Sequence, residues 1–168
     1  MLKIRRASFP GDERVVADLF LQYLEFLFER VPEERENTMR KYDPAKIDYQ
    51  VADFVRIHAR PTGDLLLAHH DGRPVGCGMM RLLEPGIVEI QRVFVTEAAR
   101  GLGAGKALTE ALMDQARRDG QQIVRLDTGR PLVEARGLYE KLGFRERAPY
   151  HDETPYLDHL LCYYERQL

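Results

Sequence analysis

An apolar segment that runs into closely spaced glycines and then into an amphipathic helix constrains the fold of this chain most. The apolar segment covers residues 87–95, the glycines are Gly101, Gly103 and Gly105, and the helical pattern covers residues 102–119. Where a strand leads into a helix, the first amides of the helix have no intrahelical partners and lie at the positive end of the helix dipole. Glycines expose those amides because they carry no side chain. The segment therefore predicts a binding site for an anionic group such as a diphosphate.

Two common phosphate-binding motifs do not fit this segment. A dinucleotide fingerprint that begins at Gly101 requires a glycine where the chain has Lys106. A Walker loop that ends at Lys106 requires glycine at position 100 and serine or threonine at position 107, but the chain has Arg100 and Ala107. The anionic ligand is therefore expected to be held by a different loop type.

The segment instead resembles the acetyl-CoA signature of the GCN5-related N-acetyltransferases, Q/R-x-x-G-x-G/A, which Arg100, Gly103 and Gly105 match in order. Residues 135–144 resemble a second segment of that family, A-x-x-L-Y-x-K-x-G-F. Two motifs in the correct order, about a helix and a strand apart, are more specific than either motif alone. The resemblance is strongest over residues 73–147.

The resemblance implies an α/β (α+β) fold with a mixed, mostly antiparallel sheet of six to seven strands flanked by about four helices. It also implies a central parallel strand pair that splays apart and admits acetyl-CoA as co-substrate. In such a wedge the backbone of residues 93–95 loses ladder partners, so the pantetheine arm can pair with it as a pseudo-strand. The residues expected to contact the cofactor are Val93, Phe94, Val95, Arg100, Gly101, Leu102, Gly103, Ala104, Gly105 and Lys106.

The implied reaction is direct transfer of an acetyl group to a primary amine of a small molecule or peptide. An amine with a pKa of about 10 arrives protonated at neutral pH, so a base must remove its proton. Glu89 is the candidate base, with a solvated strand carboxylate as the alternative, and the neighbouring Gln91 is expected to face solvent. Tyr139 matches the family's general acid for the thiolate, and its helical spacing also suits a core tyrosine. Leu132 departs from the family, because many relatives have a cofactor-contacting asparagine there.

Length, net charge and cysteine pattern further limit the functions expected of this chain. The 168 residues suit one domain, expected to span 1–168, and a net charge of −2 gives no broad basic surface for nucleic acid. The N-terminus lacks an apolar leader and no 18-residue apolar window exists, so we expect a cytoplasmic protein without a membrane segment. Cys77 and Cys162 form no zinc or disulfide pattern, and His69 and His70 point to opposite faces of a strand, so no metal is expected.

Periodicity and turn residues predict the remaining elements. Asp71-Gly72 favours a type I′ hairpin turn, and the charged stretch 33–43 is predicted to be a solvated, mobile connection. The predicted strands cover 2–7, 65–68, 75–83, 87–95, 123–127, 144–148 and 160–165, and the other predicted helices run from Asp12 to Pro32, over 44–59 and over 132–142.

Two rival functions remain open: a non-catalytic acyl-CoA-binding sensor or interaction module on the same fold, and an unrelated nucleotide-binding domain. The acidic pairs Glu25 with Glu29 and Asp152 with Glu153 could attract a cationic amine, or could simply be solvated. By analogy with the family, the chain could form a homodimer. The acceptor amine and the preferred acyl chain are not encoded in any recognisable motif.

Overall fold

Seven strands form a single sheet in the computed structural model, which describes residues 1–168. The strands are β1 (Leu2–Arg6), β2 (Gly63–His70), β3 (Arg73–Glu84), β4 (Ile87–Val95), β5 (Ile123–Gly129), β6 (Arg145–Arg147) and β7 (Leu161–Gln167). Their order across the sheet is β1-β2-β3-β4-β5-β7-β6, and every neighbouring pair is antiparallel except β4 and β5. The mixed, mostly antiparallel sheet predicted from the sequence is therefore confirmed.

Five α-helices flank the sheet: α1 (Glu13–Arg30), α2 (Arg35–Lys41), α3 (Ile47–Ile57), α4 (Ala104–Arg118) and α5 (Val133–Lys141). Short 3-10 turns cover Pro32–Glu34, Pro44–Lys46, Glu97–Ala99 and Pro155–Leu160. No helix combines the length and the apolar character that crossing a bilayer requires.

Helix α2 overturns the prediction of a structureless connection over 33–43. Its charges suit the helix dipole, with Glu36 in the first turn and Arg40 and Lys41 in the last. The guanidinium of Arg35 lies 4.2 Å from the Phe28 ring centre, and that of Arg40 lies 4.3 Å from the Tyr156 ring centre. This charged helix has no buried residues, and its cation-π contacts, one of them with the remote Tyr156, are not visible in the periodicity of the sequence.

The apolar core lies on both faces of the sheet. Alternate residues of β2 point to opposite faces, so Leu66 joins one buried cluster and Leu67 the other. The first cluster packs under α4, with Leu112 fully buried, and the second packs under α1 and α3, where Phe20 and Phe54 meet edge to face at 4.9 Å. The strands between them are therefore fixed from both sides.

The parallel strands β4 and β5 separate after three paired positions. Their register runs from Ile87 opposite Ile123 to Glu89 opposite Arg125 and then stops, although both strands continue. The register between β3 and β4 also shifts near Arg92, whose φ of 50° marks a bulge. A bulge bends and twists its strand, which is consistent with the separation of β4 from β5 beyond Glu89. The splayed central pair implied by the resemblance is confirmed.

Candidate active site

A cavity of about 820 Å³ occupies the space where β4 and β5 diverge. It is bordered by the glycine loop, both diverging strands, α1, α2, α5 and the segment that precedes β7. Most residues proposed from the sequence line it, namely Glu89, Tyr139, Val93, Phe94, Val95, Arg100, Gly101, Gly103, Ala104, Gly105 and Lys106. Leu102 is the exception, because it does not line the cavity and is 46% exposed.

The glycine loop presents bare amides to the cavity. Helix α4 begins at Ala104, and Gly103 stands at its N-cap with φ 79° and no side-chain hydrogen bond to the helix. The amides of the first turn therefore point out of the helix, because no preceding turn supplies carbonyl groups to accept their hydrogen bonds. A Cβ atom on Gly105 would lie 3.4 Å from Leu138 Cδ2, which is an ordinary contact distance between α4 and α5. This arrangement suits an anionic ligand at the helix N-terminus.

Two cations flank that loop without blocking it. The Arg100 guanidinium lies 4.7 Å from the Phe26 ring centre, and Lys106 Nζ lies 3.8 Å from a carboxylate oxygen of Glu110. Both side chains belong to residues that line the cavity. They add positive charge at the end of the cavity where the free amides lie.

One backbone edge of β4 is free beside the loop. Phe94 pairs with Cys77 and Val95 with Gly76 on β3, whereas β5 pairs with neither of them. The Phe94 side chain is buried against Tyr23, with ring centres 5.6 Å apart, so only its backbone is available to a ligand. An extended amide-containing chain could add to this edge as a strand would.

Glu89 lies at the last paired position before the strands diverge, and it is only 1% exposed. Its Oε2 accepts hydrogen bonds from Arg81 Nε and Gln91 Nε2, each at 2.8 Å, and its Oε1 accepts one from the Tyr150 hydroxyl at 2.8 Å. The alternative of a solvated carboxylate is therefore wrong. One cationic donor and two neutral donors thus satisfy this carboxylate.

Gln91 does not face solvent as expected. Its Nε2 donates to Glu89, and its Oε1 accepts from Arg92 Nη1 at 2.9 Å and lies 3.0 Å from His58 Nε2. Burial is the main reason why the pKa of His58 falls to about 4, although its contacts with Gln91 and the Phe54 carbonyl act in the opposite direction. The side chain of Gln91 thus helps to hold the Glu89 carboxylate in position.

His151 and Asp127 form a pair that the sequence analysis missed. His151 Nε2 lies 2.5 Å from Asp127 Oδ2, and both residues line the cavity. The hydrogen bond to Asp127 is the main cause of a raised pKa of His151, against the opposing effect of partial burial. No motif joins these residues, because 24 positions separate them and the pair forms only when the segment before β7 folds over the end of β5.

Glu89, Asp127 and His151 bring ligand-type atoms within 4.8 Å of one another. That grouping resembles a metal-binding set, but Asp127 and His151 are paired with each other and Glu89 is paired with Arg81. The positive charge of Arg81, which contacts Glu89, would repel a metal cation bound to the same carboxylate. The contacts fit a charged hydrogen-bond network better than a metal centre.

Tyr139 packs in the core and also borders the cavity. It is 6% exposed on α5, and its ring packs against Phe144 and Tyr164 at centre distances of 5.8 and 6.4 Å. It also lines the cavity, and burial raises the pKa of its hydroxyl. Leu132, at the position where relatives have asparagine, is buried at the N-cap of α5 and gives the cavity an apolar contact instead.

Of the four acids considered for attracting an amine, only Glu153 lines the cavity. Its Oε1 accepts a hydrogen bond from Arg81 Nη2 at 2.9 Å. Glu25, Glu29 and Asp152 are exposed and lie outside the cavity lining. The solvated interpretation therefore applies to three of these acids.

Comparisons with known proteins agree with this geometry. The model of the acetyltransferase (GNAT) family matches residues 22–144. An IAA acetyltransferase of Azospirillum brasilense is 39% identical over 72 residues, which cover 42% of this chain and 47% of that protein. The uncharacterized N-acetyltransferase YjgM of Escherichia coli is 35% identical over 99 residues, which cover 54% of this chain and 59% of YjgM. The matches thus span about half the length of these two relatives.

Solved structures share the fold over the whole chain. The PaiA N-acetyltransferase of Thermoplasma acidophilum, solved in complex with coenzyme A, superimposes with a TM-score of 0.77 at 18% identity, covering 100% of this chain and 99% of that one. A GNAT acetyltransferase of Elizabethkingia anophelis with acetyl-CoA bound gives a TM-score of 0.69 at 17% identity, covering 99% and 98%. At such identities the likeness establishes the fold.

Proposed function

Because the chain belongs to the GNAT family of acetyltransferases, we propose that it transfers an acetyl group from acetyl-CoA directly to a primary amine of a small molecule or peptide. One observation carries this proposal: the bare amides at the start of α4 and the unpaired edge of β4 open into the same cavity. The first feature suits a pyrophosphate and the second suits an amide-bearing pantetheine arm.

In this proposal the cofactor is held mainly by backbone. The amides of residues 103–106 donate to the pyrophosphate, while Arg100 and Lys106 add charge. The β4 edge at residues 93–95 pairs with the pantetheine amides and directs the thioester toward Glu89 and Tyr139. The bound acetyl-CoA supplies the activated acetyl group and a thiolate leaving group.

Tyr139 is the proposed general acid. The thiolate that leaves must gain a proton, and a phenol with a raised pKa is fully protonated at neutral pH and therefore available as a donor. No protein acceptor takes the hydroxyl proton in the structure, so the hydroxyl is free to donate to a ligand in the cavity.

Glu89 is the proposed base, and the His151–Asp127 pair is a second candidate for that role. Glu89 lies beside the cavity, and its carboxylate accepts hydrogen bonds from Arg81, Gln91 and Tyr150. His151 is more basic than an ordinary imidazole because Asp127 favours its protonated form. Glu89→Gln and His151→Gln variants separate the two, because only loss of the true base removes the acidic limb of the pH-rate profile.

The experiment that tests the proposed function is incubation of the protein with acetyl-CoA and an amine library, followed by mass spectrometry of products and measurement of released thiol. An acetylated amine that forms in step with free thiol is the expected result. Tight CoA binding without any product across the library would instead favour the sensor function.

A thermal-melting screen tests the remaining alternative, an unrelated nucleotide-binding domain. A ligand at one hundred times its dissociation constant stabilises the folded state by about 2.7 kcal/mol. We expect CoA to raise the melting temperature and ATP and NAD to leave it unchanged. Stabilisation by ATP or NAD alone would contradict an acetyl-CoA site.

A further inference from the structure

Two cations, Lys41 and Arg92, line the active-site cavity without a carboxylate partner. Lys41 is the last residue of α2, and Arg92 stands at the bulge of β4. Many other arginines of this chain are ion-paired, as Arg81 is with Glu89 and Arg125 with Glu165. A positive charge left unpaired in a partly closed cavity is costly, so such a pair of cations calls for an anionic partner.

Aromatic side chains and one amide hold the two cations in place. Arg92 Nε donates to the Tyr42 hydroxyl at 3.1 Å, its Nη1 donates to Gln91, and its guanidinium carbon lies 4.6 Å from the Phe54 ring centre. Lys41 Nζ lies 5.1 Å from the Tyr42 ring centre. A guanidinium has five N–H donors, and these contacts leave several of them available.

The electrostatics of Tyr42 reflect the excess of positive charge. Burial acts to raise the pKa of this phenol, but Arg92 and Lys41 together reverse the direction and lower it. The two cations thus create a positive field at one place in the cavity wall. Any ligand group that enters there is favoured if it is negative.

Negatively charged side chains lie in another part of the same cavity. Glu89, Asp127 and Glu153 contribute carboxylates to the lining, and Asp127 is close enough to Lys41 to affect its pKa. Arg92 donates to Gln91, which in turn donates to Glu89, and Lys41 and Arg92 both lie over the ring of Tyr42. The two cations are thus linked to the Glu89 end of the cavity, whereas the glycine loop follows the β4 edge at 93–95. The cavity therefore carries separate negative and positive patches where the acceptor is expected.

We propose that the acceptor is a zwitterion whose carboxylate binds to Arg92 and Lys41 while its amine lies toward Glu89 and Asp127. This inference rests on the proposed acetyl transfer. A planar carboxylate matches the donor fork of a guanidinium, and the lysine adds a second charge. The acceptor class is thus amino acids and related amino carboxylates rather than polyamines or simple alkylamines.

The test uses acceptor pairs that differ in one group. Each of several α-, β- and γ-amino acids with aliphatic or aromatic side chains is compared with its own carboxamide, and kcat and KM are measured by thiol release. We expect the carboxylate member of at least one pair to have a kcat/KM at least tenfold higher, through KM. Equal or lower values for the carboxylate member in every pair would overturn the inference.

Variants of the two cations connect this preference to the site. Arg92→Asn suits the left-handed backbone at that position, because asparagine tolerates positive φ, and Lys41→Met keeps the length of the side chain. Each variant removes a charged partner of the carboxylate, so each should lower the ratio of kcat/KM between the carboxylate member and the amide member about tenfold or more. A ratio that stays the same in both variants would overturn the inference. The control is Lys46→Met, since the Lys46 side chain is 70% exposed and lies outside the cavity lining.

A binding measurement keeps the inference independent of turnover. Calorimetry with CoA-loaded protein compares N-acetyl amino acids with their N-acetyl carboxamides. Tighter binding of the carboxylates, lost in Arg92→Asn, would support the anion site even if no acceptor were acetylated and the proposed reaction failed. Equal affinity within every pair would overturn the anion site even if amines were acetylated.

Discussion

The two walls of the cavity are built in different ways. The cofactor wall comes from one continuous segment, residues 93–106, and relies on backbone amides and a free strand edge. The acceptor wall gathers Lys41, Glu89, Asp127 and His151 from four separate parts of the chain and relies on side-chain charge. In the proposed function, the first wall holds acetyl-CoA through backbone groups that every residue possesses, whereas the second selects the acceptor through side chains that single substitutions can change.

The charged side chains of the two walls also differ in how far they are buried. The Lys106 side chain on the cofactor wall is 60% exposed, whereas Glu89 on the acceptor wall is 1% exposed and fully hydrogen-bonded. Charges in water are screened by salt, and buried ones much less so. Mutations on the two walls should therefore affect different measured quantities and respond differently to ionic strength.

The largest expected effect separates chemistry from cofactor binding. Tyr139→Phe removes the proposed acid while keeping the ring that packs on Phe144, so kcat should fall about a hundredfold or more and the Kd of CoA should stay the same. Stopped-flow kinetics and calorimetry measure the two quantities. Tyr49→Phe, at a side chain that is 79% exposed, is the control. An unchanged kcat would exclude Tyr139 as the acid.

The next effect concerns the cofactor wall alone. Valine at position 103 would meet a φ of 79°, which β-branched residues avoid, so the loop that presents the first amides of α4 would have to change its conformation. We expect Gly103→Val to weaken CoA binding about tenfold or more by calorimetry. Gly137→Ala is the matched control, because a Cβ there meets nothing within 4 Å and should leave CoA affinity unchanged. If Gly103→Val bound CoA normally, the bare-amide account of this wall would be wrong.

A pH profile addresses the acceptor wall. If His151 removes the amine proton, kcat/KM should fall as the pH drops through the pKa of His151, which lies above its ordinary value of 6.5 because of Asp127. Asp127→Asn removes that charge, so the midpoint should move to lower pH while the Kd of CoA stays constant. A midpoint unaffected by Asp127→Asn, but lost in Glu89→Gln, would assign the base to Glu89.

The smallest effect tests screening on the cofactor wall. Lys106→Met removes one exposed charge near the pyrophosphate site, and exposed charge contacts are worth about 0.2–1 kcal/mol. CoA affinity should fall severalfold at low salt, and the difference should shrink as salt is added. A loss of affinity that is the same at every salt concentration would indicate a direct, desolvated contact instead.

Local patterns predicted the strands and the glycine loop, and the family resemblance implied the splayed parallel pair that β4 and β5 form. The Asp71-Gly72 turn is likewise confirmed, with φ values of 49° and 81°. Helix α2 was missed because it has no buried apolar face, and its contacts with Phe28 and Tyr156 cannot be recognised from periodicity.

The sequence by itself indicated the bare amides of the glycine loop, since glycines beside a helix N-terminus stay neighbours in any fold. The free edge of β4 was decided by the tertiary structure, because β5 pairs with β4 only as far as Glu89. Only the tertiary structure decided the acceptor wall: it buried Glu89 under Arg81, joined His151 to Asp127, and left Lys41 and Arg92 without acidic partners. Interactions between side chains depend on distance in space, and that distance is set by packing of segments that lie far apart along the chain.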